Sequence, residues 1–217
     1  MADLDRARAV EHVETIVETL ERETMPVPVR ELWVFGDVAL GLDPVERLDV
    51  YLTKDILLDG DSERADEFAE KHGVDGIGQT VRASWAEENP ELLRTTASGH
   101  AAPEKCLAAH LLEDDEPIHL EVCNASFEDN VRQRLEGARA RANYEEILDP
   151  RAACLWIDGK RSETAFEKLQ NGEFVFPTLP DALEMLGLDE DEANGAAQTL
   201  RDARTVQDGS SVRGDVV

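Results

Sequence analysis

Four residues in one short stretch, Gly36, Asp37, Arg47 and Asp49, have types and spacing that could do chemistry; Glu121 follows much later. The stretch is 31–53, ELWVFGDVALGLDPVERLDVYLT, which reads as strand, glycine-bounded turn, strand. Alternation over 48–52 sends Leu48, Val50 and Leu52 one way and Arg47, Asp49 and Tyr51 the other. A guanidinium and a carboxylate therefore share a face. A metal-dependent phosphate enzyme usually carries two carboxylates at such a place, because magnesium needs several oxygen donors near octahedral geometry. Here one stands, beside a fixed positive charge.

The elements that must position these residues follow from periodicity. Residues 3–23 predict an amphipathic helix, with Val10, Val13, Val17 and Leu20 on one face and Pro26 and Pro28 beyond its end. A short apolar strand over 32–35 carries Trp33, and 36–41 is a turn. Helices are expected over 62–72, 75–86 and 90–112, the last interrupted near 98–103. The third strand, 118–123, puts His119, Glu121 and Cys123 on one face. Ser126 caps a helix with Glu128 and Asp129 in its first turn. Asp149-Pro150 stops it near 148. Further on, the pattern predicts strand 153–157, helix 163–169, strand 173–176 and helices over 181–186 and 190–203. The fold class is α/β: a mixed sheet flanked by helices over 1–150, a small α/β C-terminal extension over 151–206, and a flexible polar tail over 207–217.

The order helix, strand, glycine turn, strand, helices, strand, helix resembles the nucleotidyltransferase-fold superfamily, whose signature is a Gly-Ser turn followed some ten residues later by Asp-x-Asp. The resemblance covers about 3–148. Gly36 falls on the family glycine, Asp49 on the second carboxylate of Asp-x-Asp, and Glu121 on the third-strand carboxylate. Asp37 stands at the serine position and Arg47 at the first aspartate. The resemblance implies nucleotide binding at Gly36, Asp37 and Arg47, and remnant catalytic or Mg²⁺-binding roles for Asp49 and Glu121, with Mg²⁺ needed only if the protein is active. The altered residues imply a degenerate member acting by binding protein, RNA or nucleotide. They also predict an Asp37–Arg47 ion pair filling the vacated site. The alternatives are an active enzyme with remodelled carboxylates (Asp43, Asp49 and Glu121), and a structural or oligomeric adaptor working through its C-terminal segment.

Composition bounds these readings. The chain has 217 residues and a formal net charge of −26, with 48 acidic residues against 22 basic ones. Abundant Asp and Glu, few Lys and 5% aromatics resemble the cytosolic proteins of extreme halophiles. In molar salt the Debye length is about 3 Å, which screens such repulsion. The alternative is an ordinary acidic protein with a basic partner. Three widely spaced cysteines argue against a disulfide framework and for a reducing cytoplasm. No apolar run is long enough to span a bilayer, so no membrane partner is expected. The start of the chain shows charges on a helical period and no signal-peptide pattern.

Other candidates carry plainer readings beside the chemical ones. Arg132, Arg134, Arg139 and Arg141 form the densest basic segment; on a helix, 132/139 and 134/141 each share a stripe. They suit local salt bridges or contact with RNA or another partner. His119, Glu121 and Cys123 form a metal-capable face, though strand alternation supplies one by chance and no ligand spacing accompanies it. Cys106 and Cys154 read as small buried apolar residues. No nucleophile motif supports Ser-His-Asp or Cys-His catalysis. The 189–192 acidic cluster between two late helices would repel DNA. Arg201, Arg204 and Arg213 stand out in an acidic C-terminal region and are expected to contact an acidic patch.

Overall fold

Strand alternation sorts the central residues onto two sheet faces, and the helices that cover those faces decide what each can hold. The computed structural model describes residues 4–23, 25, 27–54, 63, 66, 103–112, 117–206 and 211–214. Apart from residues 63 and 66, the helices expected over 62–72 and 75–86 lie outside the described residues, as do 90–102 of that expected over 90–112, the 113–116 acidic cluster and the Cys106 side chain. Among the described residues, the chain runs α1 (Arg6–Arg22), β1 (Val29–Phe35), β2 (Leu48–Lys54), α2 (Pro103–Leu111), β3 (Ile118–Cys123), α3 (Phe127–Arg141), β4 (Ala152–Ile157), β5 (Lys160–Arg161), α4 (Glu163–Asn171), α5 (Leu179–Met185), α6 (Glu190–Thr205) and β6 (Ser211–Arg213). It is a mixed α/β fold.

The six strands form one sheet in the order β5-β4-β1-β2-β3-β6. β1 pairs antiparallel with β2 and β4, whereas β2–β3 and β3–β6 are parallel. β2 is buried along its whole length, as a central strand covered on both faces must be. On one face, Leu32, Val34, Val50, Leu52, Leu120 and Val122 pack with Val10, Val13 and Val17 of α1 and Phe166 and Leu169 of α4. Burying this set is the main apolar contribution to stability. Asp5 caps α1, accepting from the Ala7 N–H at 2.8 Å.

The opposite face is covered by α3. Phe127, at its first turn, stacks on Trp33 with centroids 5.0 Å apart and meets Tyr51 edge-on at 5.2 Å. On α3's far side, Leu135 and Ala138 join Leu179 and Leu183 of α5 and Ala193, Ala196, Ala197 and Leu200 of α6. The small residues of α6 let it approach closely. That packing brings the C-terminal end of α6 over β2.

Three boundaries differ from expectation. The expected division near 150 is no break in the sheet, because β4 pairs directly with β1, and part of the tail supplies β6. The helix from Ser126 stops at Arg141 instead of about 148. Ala142 turns left-handed at φ 50°, its N–H and that of Asn143 satisfy the last carbonyls, and Ile147 and Leu148 enter two separate apolar clusters. Residues 173–176 form no strand: Phe174 and Phe176 stack on each other at 5.7 Å and pack on the core, while Val175 is 94% exposed. Their alternation records sidedness without a ladder partner.

Candidate functional site

The site forms where polar residues occur on the α3-facing side of an otherwise apolar sheet. Gly36 ends β1 at φ +67°, and 36–42 closes as a turn with Leu40 N–H donating to the Gly36 carbonyl at 2.9 Å. A Cβ at Gly36 would collide with the Asp49 carboxylate and the Arg204 guanidinium, so both the backbone angle and the space demand glycine. Parallel register puts Asp49 opposite His119 and Tyr51 opposite Glu121. Adjacent strands thus bring both candidate carboxylates to one face.

Neither carboxylate is open. Asp49 is fully buried; its Oδ1 accepts from Arg47 Nε at 2.9 Å and Nη2 at 2.7 Å, and its Oδ2 accepts from Arg204 Nη2 at 2.5 Å. Glu121, 2% exposed, accepts bidentately from Arg134, at 3.0 Å on Oε1 and 2.5 Å on Oε2. His119 Nε2 also lies 3.0 Å from Oε1, and its Nδ1 lies 2.6 Å from Ser211 Oγ. Every oxygen of the two carboxylates therefore faces a cationic or imidazole donor. Burial pushes the Asp49 carboxyl upward from its ordinary value, opposed by Arg204, Arg47 and His119. Burial also disfavours ionised Glu121, but hydrogen bonds from His119 and Arg134 together with the Arg134 charge outweigh it, drawing the carboxyl down to about 2.

The expected Asp37–Arg47 pair does not form. Arg47 turns to Asp49, while Asp37 Oδ2 accepts the Glu46 backbone N–H at 3.0 Å and its Oδ1 lies 3.5 Å from Arg204. Asp37 thus ties the loop together and shares the arginine that reaches Asp49. Asp43, the third carboxylate of the remodelled-enzyme alternative, accepts from the Arg6 backbone N–H at 3.4 Å and lines a surface hollow beside α1 with Asp5 and Glu11. It is not part of the Asp49–Glu121 centre.

Sequence reasoning missed Asp149, which is buried at the cavity edge and held bidentately by Arg151. It also gave no role to Ser211. Arg204 was expected only to meet some acidic patch, and that patch proves to be Asp49 and Asp37. The four α3 arginines divide. Arg134 points inward to Glu121, Arg139 pairs with Glu192 at 3.1 Å, and Arg132 and Arg141 are exposed. The 189–192 acidic run is the capped N-terminus of α6, where Asp189 accepts from the Glu192 N–H. Cys123 is buried beside Arg134, and half-buried Cys154 has its thiol pushed up to about 11 by burial.

The cavity at the centre, lined by Arg47, His119, Glu121, Arg134 and Arg204 among others, is about 50 Å³. That accommodates a few waters and falls well below the roughly 300 Å³ of a small-ligand pocket. As arranged, the donor set does not fit a divalent cation, since guanidiniums occupy the directions from which a metal would bind.

A family model described as "Family of unknown function (DUF7095)" matches residues 5–217. The chain belongs to the DUF7095 family. No curated protein and no solved structure matches it. The Gly36 turn, the Asp49–Glu121 centre and the Arg204 contact all lie within the matched DUF7095 span. Among the described residues, no helix of this DUF7095 protein is long and apolar enough to cross a membrane.

Proposed function

We propose that this protein is a non-catalytic relative of the nucleotidyltransferase fold that acts by binding, in a high-salt cytoplasm. The observation carrying this reading is the guanidinium occupancy of Asp49 and Glu121. Two-metal phosphoryl transfer uses strand carboxylates to hold cations that neutralise the transferred phosphate. Here Arg47, Arg134 and Arg204, side chains of the protein itself, supply positive charge to the same carboxylates through salt bridges. The glycine turn between antiparallel β1 and β2, and two carboxylates on adjacent strands, support the ancestry.

The test is incubation with labelled nucleoside triphosphates and Mg²⁺ or Mn²⁺ in multimolar KCl. Neither pyrophosphate nor labelled product is expected. Turnover that disappears in Asp49→Asn would replace this reading with the active-enzyme alternative. The adaptor alternative draws on exposed Met185 (80%) and Val206 (80%) in the C-terminal half. Concentration-dependent sedimentation lost in Met185→Ser would favour it.

A further inference from the structure

α3 carries a glycine in its interior, Gly137, and the reason lies one turn later. The Arg141 side chain folds back over that position, so a Cβ there would stand 3.3 Å from Nη1 and 3.4 Å from Nη2. Glycine lets the guanidinium lie against the helix toward a groove of about 310 Å³ between α3 and β6. Arg134, Arg141, Arg213, Gln133, Asn143 and Glu146 line it. Arg134 is matched by Glu121 beneath the groove. Arg141 has no ion pair or hydrogen bond among the described residues. Arg213 meets only the exposed Glu146, at 3.4 Å, a contact that water readily replaces.

We propose that this groove binds a small organic phosphate monoester, a ligand assignment that rests on the binding reading above. Two guanidiniums without a buried partner match the charge of −1.5 to −2 on such a group. The side-chain amides of Gln133 and Asn143 offer neutral donors for the remainder of the molecule. The volume is that of a small-ligand site. A long nucleic acid is disfavoured because molar salt removes the counterion-release gain on which sequence-independent backbone binding depends. Bidentate guanidinium contacts also suit molar salt, where counterion release contributes little.

The test is calorimetric titration of the full chain in multimolar KCl with ribose 5-phosphate and adenosine 5′-monophosphate. Ribose, inorganic phosphate and a short single-stranded RNA are the comparison arms. Saturable binding of a monoester but not of ribose is expected. Arg141→Ala should weaken it about tenfold or more, and Glu146→Gln should tighten it. Gly137→Ala should weaken binding while leaving the melting temperature unchanged or higher, which separates displacement of Arg141 from damage to the fold. Equal binding of ribose, tighter binding of RNA than of either monoester, unchanged affinity in Arg141→Ala, or no binding would each overturn the assignment. If it fails while no pyrophosphate is released from triphosphates, the non-catalytic reading stands without this ligand. Pyrophosphate release would remove that reading instead.

Discussion

Two arginine-rich regions adjoin α3 and share Arg134, and they differ in what their other charges face. At the Asp49–Glu121 centre Arg47, Arg134 and Arg204 are each matched to a buried carboxylate. In the α3–β6 groove, Arg141 has no partner among the described residues and Arg213 has an exposed one. Matched, buried charges fix a structure, because removing one member strands the other in low dielectric. Unmatched, exposed charges add little stability and remain available. The same residue type therefore fixes architecture at one place and stays available to a ligand at the other.

The largest effect should come from the matched centre. Asp49→Ala leaves Arg47 and Arg204 without their shared carboxylate and should cost about 3–5 kcal/mol in denaturant unfolding monitored at high salt. A loss below about 1 kcal/mol would show that the centre is solvated. Acid titration sharpens the same point. Glu121 titrates near 2 folded against an ordinary value of 4.5, so its contribution is complete above about pH 4.5 and disappears as pH falls toward 2. On the order of 3 kcal/mol is at stake by linkage. Asp49, shifted upward, contributes a slope of opposite sign, so the Glu121 part is the difference between wild-type and Glu121→Gln stability curves. Identical curves would remove Arg134 from the account.

A smaller loss is expected for Gly36→Ala. A left-handed backbone angle and a Cβ thrust against the Asp49–Arg204 contact should together cost about 1–3 kcal/mol, read from the thermal midpoint. The groove provides the smallest effect. Arg141→Ala should change unfolding free energy by no more than about 0.5 kcal/mol. A loss approaching that of Asp49→Ala would erase the contrast between the regions.

The sheet half of this arrangement was legible in the sequence. Period-two alternation put Asp49 on the side opposite Leu48 and Val50, and it put His119 and Glu121 together, because side-chain direction in a strand is a local property. The Gly36–Gly41 turn was readable for the same reason. The counter-ions were not. Arg204 reaches Asp49 across 155 residues, through the packing of α6 on α3, which no local pattern encodes. Asp37 and Arg47 looked like partners because they are close in sequence and opposite in sign. The turn instead directs Asp37 to the Glu46 N–H, and the extended chain entering β2 puts Arg47 on the same face as Asp49. The seven-residue spacing did separate 134/141 from 132/139. It could not show that Arg134 would turn inward while Arg141 stayed out. In 173–176 the alternation was real, but hydrogen-bond partners depend on neighbours the segment itself does not specify.

The central claim is that protein cations have taken over the Asp49–Glu121 carboxylates, and Mn²⁺ titration followed by electron paramagnetic resonance in multimolar KCl tests it most directly. The account predicts that wild-type protein and Asp49→Asn take up the same small amount of Mn²⁺, with no saturable site assignable to this centre. A stoichiometric, saturable Mn²⁺ site present in the wild type and lost in Asp49→Asn would contradict it.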